Sequence, residues 1–155
     1  MMHSLRFLAL VMCVTIATAC DAFEETTINE DEASEQIERY VNEAVDVLPE
    51  QARLEPLGSS TSAPCDEGRI DWVNVERSYW VEDLPKEDAQ RNIELIYDHW
   101  EESGYELVSE SKSDDVTISF KNPEDSFTMD ASVNGDGAIL ISVISPCIWA
   151  EGTPQ

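Results

Sequence analysis

From Tyr105 onward the sequence alternates with a period of two, and this pattern constrains the fold more than any other feature. Tyr105, Leu107 and Ser109 alternate with Glu106, Val108 and Glu110, and Val116, Ile118 and Phe120 alternate with Thr117, Ser119 and Lys121. Phe127, Met129, Ala131 and Val133 then alternate with Thr128, Asp130 and Ser132, and Ile139, Ile141 and Val143 complete the series. Period two places successive side chains on opposite faces of a sheet. Leu140 and Ile144 make the last segment apolar on both sides, as a central strand requires. Asn122-Pro123-Glu124-Asp125 and Asn134-Gly135-Asp136-Gly137 carry the residue types of hairpin turns. Four antiparallel strands in a meander are expected.

Ile70 to Val81 alternates in the same way and supplies a fifth strand, with Val73, Val75, Arg77, Tyr79 and Val81 on one side and Trp72 and Trp80 on the other. Two helices are expected around it. Asn29 and Glu32 have the spacing of a capping box, and Ala33, Ile37, Val41, Ala44 and Leu48 make one apolar stripe before Pro49. Pro85 opens the second helix, Ala89, Ile93, Ile96 and Trp100 form its stripe, and Gly104 suits the residue beyond its end. Residues 50–69 are rich in Pro, Gly and Ser, lack periodicity, and read as an exposed loop. The expected fold is α+β: two helices on one face of an antiparallel meander of four to five strands.

The N-terminus reads as an export signal. Arg6 provides a positive start, Phe7 to Ile16 is apolar, and Ala17-Thr18-Ala19 supplies small residues before Cys20. Residues 1–19 are read as signal peptide, 20–28 as a lipidated cysteine with an acidic spacer, and 29–155 as a single domain. Ala17 to Ala19 equally fits an ordinary secretory cleavage, so a secreted form stands as the alternative. Cysteine arithmetic bears on the choice. Cys13 leaves with the signal, and an odd thiol in an exported protein needs a role. Acylation of Cys20 provides one and frees Cys65 and Cys147 to pair.

Acidic residues number 33 against 9 basic, for a formal net charge of −24. Such a surface disfavours nucleic acid and anionic lipid headgroups; it suits a basic partner, or simply solubility. Catalytic signatures are absent from the sequence. There is no G-x-S-x-G turn, no Gly-rich phosphate loop and no metal-ligand spacing, and His99 is the one histidine beyond the leader. No cofactor or metal is expected. Trp72, Trp80 and Trp149 are the candidate ligand-binding residues, since aromatic side chains can line a groove as well as fill a core.

The leader, acidic spacer, helix, Ser/Thr/Pro-rich loop ending in Cys65, strand–helix–meander unit and late Cys147 resemble the small envelope lipoproteins of actinobacteria, such as the mycobacterial LppA-like group. That resemblance implies a membrane-anchored extracytoplasmic protein of uncharacterised function, with no catalytic residues to carry over. The expectation is a non-enzymatic binding module for a protein or a small apolar ligand, held to the membrane through Cys20. The alternatives are an acidic immunity or inhibitor protein for a basic partner and, less favoured, a carboxylate-based hydrolase.

Overall fold

The computed structural model describes residues 27–112 and 115–154. The leader and Cys20 lie outside the described residues. Helix α1 spans Glu30–Asp46, and its start is fixed as its sequence requires: the Asn29 side chain accepts from the Glu32 amide while the Glu32 carboxylate accepts from the Asn29 amide. Ala33, Ile37, Tyr40, Val41 and Ala44 form its buried stripe. A 3-10 turn at Lys86–Asp88 leads into α2, Ala89–Glu102, which buries Ile93, Ile96 and Trp100. Gly104 takes φ +79° just beyond the helix, a conformation open to residues without a Cβ.

The sheet has eight strands: β1 Arg53–Pro56, β2 Thr61–Asp66, β3 Arg69–Glu82, β4 Glu106–Lys112, β5 Val116–Lys121, β6 Thr128–Val133, β7 Ile139–Ile144 and β8 Ile148–Trp149. The main order is β1-β3-β7-β6-β5-β4, with β2 and β8 also paired to β3, and all pairings are antiparallel. The meander stands as expected, and β7 lies inside the sheet, consistent with its apolar character on both faces.

Two expectations need correction. The sheet exceeds four to five strands, and residues 50–69 are not wholly a loop, because β1 and β2 lie within them. Both corrections have one cause. The 14-residue β3 is longer than any partner, so its two sides are covered in instalments. Val73 pairs with Pro64 of β2 on one side and with Ile148 of β8 on the other, while Val81 pairs with Leu54 of β1 and Ile139 of β7. Between β1 and β2 the Leu57 amide still bonds to the Ser78 carbonyl, and between β7 and β8 the Ser145 amide bonds to that of Val75. The architecture is therefore six rows, two of them interrupted. The β1/β2 row is an exposed edge, where Pro56 and Pro64 are tolerated and no apolar alternation is required.

Both helices cover the same face of the sheet. Val75, Tyr79, Ile141, Ala131, Met129, Ile118 and Phe120 point toward them and are buried, and Trp100 and Tyr97 meet Phe120 with ring centroids 5.6 and 5.1 Å apart. At one end of the core, the Tyr40 hydroxyl donates to Asp125 and accepts from the Asn122 amide, tying α1 to the β5–β6 turn.

Candidate functional site

The Cys65–Cys147 disulfide is formed, with its Cα atoms 6.1 Å apart. Cys65 belongs to the row on one side of β3 and Cys147 precedes β8 on the other, so the bridge crosses β3 near Val73. It clamps the half of β3 that extends past the meander.

The three tryptophans singled out by the sequence do not form one patch. Trp72 and Trp149 are register partners with ring centroids 4.5 Å apart, and the Arg69 guanidinium lies 5.6 Å from the Trp149 centroid. Trp149 is 4% exposed, so it serves packing. Trp80 lies eight residues further along β3, about 26 Å away at the usual strand rise, opposite Leu140 of β7 and Glu55 of β1.

Trp72 and Trp80 share the face of β3 that points away from the helices. On that face the register aligns Ser109, Ser119, Asp130, Ser142 and Ser78 across five strands, and the Ser78 and Ser142 hydroxyls are 2.7 Å apart. Small polar side chains thus take the place of a second apolar layer. The face explains why the sheet folds with helices on one side only.

The most chemically organised cavity lies on the helical side, where the β1/β2 row is interrupted. Opposite Arg77 and Ser78 that row carries the extra residues of the Leu57-Gly58-Ser59-Ser60 segment, which swings outward with Gly58 at φ +76°. The opening is a cavity of about 360 Å³, lined by Glu38 of α1, Pro56 to Ser60, and Arg77, Ser78 and Tyr79 of β3. Arg77 occupies a core-facing position of β3, between Val75 and Tyr79, so its charge needs a partner. Glu38 provides it: Arg77 Nη1 and the Tyr79 hydroxyl both donate to Glu38 Oε1. Burial, and then the hydrogen bond to Glu38, pushes the Tyr79 phenol above its ordinary value, so it stays a neutral donor. The Arg77 Nε is buried with no hydrogen-bond partner, an uncommon condition for such a group.

This constellation was not singled out in the sequence. Its signal was Arg77 in the buried phase of an otherwise apolar strand face; its partner on α1 and the break in the edge row depend on tertiary structure. Four further cavities, of about 210 to 530 Å³, each carry charged side chains. The one of about 210 Å³, between α2 and the β4/β5 edge, has Ile93, Val116 and Ile118 as floor and Glu94, Asp98, Glu110 and Lys112 around it. Among the described residues, no group of three or more His, Cys, Asp or Glu is placed to hold a metal ion, and no helix is long and apolar enough to cross a membrane.

No protein-family model matches the chain, and no curated protein does. Among solved structures the fold is similar to that of a DUF4853 family protein from Actinomyces odontolyticus, with a TM-score of 0.55 and 16% identity over 84% of this chain and 73% of that one. The likeness is one of fold, to an actinobacterial protein whose family name denotes unknown function.

Proposed function

We propose that this chain is a lipid-anchored binding module of the extracytoplasmic envelope, and that it captures a small polar ligand in the Glu38–Arg77–Tyr79 cavity. The observation that carries the ligand reading is the arrangement at Glu38. Two donors converge on Oε1, leaving Oε2 to accept from the hydroxyl, amide or ammonium of a ligand, with Ser59 and Ser60 among the lining residues. Because Arg77 balances Glu38, the site favours a neutral or zwitterionic ligand. A small apolar ligand fits these walls less well. The leader with Cys20, the disulfide and the resemblance to LppA-like lipoproteins support the location. The cavity holds one carboxylate, whereas acid–base hydrolysis of the glycosidase kind uses two, which favours binding over the hydrolase alternative.

The test is amide-shift mapping of the isotope-labelled domain against free amino acids and monosaccharides. Saturable shifts should centre on Gly58, Ser59, Arg77 and Ser78 and disappear in Glu38→Gln. Shifts centred on Trp80, Ser132 and Ser142 would move binding to the open sheet face and refute the assignment.

A second reading keeps a specific observation behind it. The acidic groove between α2 and the β4/β5 edge has an apolar floor for the stem of a Lys or Arg and carboxylates for its head. It suits an inhibitor of a basic protein, whose binding would weaken steeply with salt.

A further inference from the structure

The chain joins the described fold at the end of β3 that extends past the meander. The Thr27 amide donates to the Gly152 carbonyl at 3.0 Å, and its hydroxyl accepts from the Trp149 amide at 2.7 Å. Glu30 bonds to Ala150 and Ala150 to Asp71. These bonds fix residue 27 beside β8, at the same end of β3 as its hairpin with β2, whose strands meet at Asp66 and Arg69. Ile70, just beyond the turn, is 85% exposed, the highest value of any large hydrophobic among the described residues, and Ile28 is exposed at the same end. Trp72 packs against Trp149 there with the rings tilted by 53°, and the Arg69 guanidinium lies over the Trp149 ring.

Isolated exposed apolar residues are ordinary; what distinguishes these is their position relative to Cys20. Residues 21–26 separate Cys20 from Thr27, and at about 3.3–3.6 Å per residue they reach no further than about 25 Å. Resting on the proposed acylation of Cys20, we infer that the β2–β3 hairpin end of the sheet docks against the phospholipid bilayer, with Ile70 entering the interface and Trp72 at headgroup depth. A half-buried tryptophan with an arginine three residues away suits that depth. The neighbouring Asp66, Glu67 and Asp71 give anionic headgroups no hold. The contact is therefore apolar and weak, and it is sustained because the tether makes docking intramolecular.

Docking and acylation are separable by experiment. With Cys65 and Cys147 bonded to each other, Cys20 of the processed chain can be coupled to a maleimide lipid in phosphatidylcholine vesicles, whether or not the cell acylates it. Brominated acyl chains should quench the tryptophan fluorescence of the coupled protein. Ile70→Glu should reduce that quenching at least twofold, and anionic phosphatidylglycerol in the vesicle should reduce it too. Leu107→Glu, on the exposed β4 at the far edge of the sheet, should leave it unchanged. Absence of quenching in the parent protein, or equal loss in both variants, overturns docking. A concentration-dependent dimer of the uncoupled chain that Ile70→Glu abolishes would assign the patch to a second copy and also overturn it. The intact mass of protein extracted from native membranes reports on Cys20 acylation alone.

Discussion

Replacing both Cys65 and Cys147 by Ala should lower stability by about 4.5 kcal/mol at most. The two residues are 82 apart in sequence, and closing a loop of that length removes this much entropy from the unfolded chain. Little of the loss should come from the folded side. Both cysteines are only half-buried, and the bridge crosses a region already held by the β2–β3 and β3–β8 pairings. The native state should therefore keep its structure while the unfolded state gains freedom. Equilibrium urea unfolding is the assay. With a denaturant slope of about 1–3 kcal/mol per molar for a small domain, the midpoint should fall by roughly 2 M.

Amide exchange distinguishes the rival account, in which the bridge merely prevents local fraying. If protection drops only at residues 61–75 and 148–149 while the slowest-exchanging core amides and the urea midpoint hold, the unfolded-state argument fails. A midpoint change worth less than about 1 kcal/mol would also refute it, since native bridges in small exported domains contribute about 2–5 kcal/mol.

Two further outcomes follow from particular contacts. Gly137→Ala should cost about 2 kcal/mol by thermal or urea unfolding: Gly137 sits at φ +77°, and an added Cβ would lie 2.7 Å from the Lys86 carbonyl oxygen. Burial, and then Glu43, pushes the Tyr105 phenol from 10.0 up to about 12, so its contribution to stability is complete below pH 10 and disappears as pH rises through about 12; Tyr105→Phe should flatten the fall in urea midpoint between pH 9 and pH 11.5, and an unchanged slope would refute the assignment.

Elements whose signal is local were legible in the sequence. Asn29 and Glu32 announce α1 because the cap is made within four residues, and Ile139, Ile141 and Val143 announce β7 because alternate residues of one strand share its buried face. The cysteine pair followed from counting thiols. What escaped is set by contacts distant in sequence. Strands β1 and β2 lie on an exposed edge, where Arg-Leu-Glu-Pro and Thr-Ser-Ala-Pro need no alternation. Trp149 stood open between groove and core because nothing near it in sequence reveals that it pairs with Trp72 of β3, 77 residues away in the chain. Arg77 stood in view as a charge among valines, but only tertiary structure brings Glu38 to it.

The length of β3 links the two proposed sites. Ile70 and Arg77 are both on this strand, seven residues and therefore about 23 Å apart. α1 follows the same strand from its hairpin end, with Ser62 of β2 bonded to Glu30 at its start and Arg77 bonded to Glu38 two turns later. If the hairpin end rests on the bilayer, this pair of elements holds the cavity mouth some 20 Å above it. In that arrangement the disulfide would clamp the half of β3 nearer the bilayer and hold the distance fixed. The long β3 therefore accounts for three features together: the interrupted rows on both its sides, the cavity that one interruption opens, and the separation of that cavity from the hairpin end.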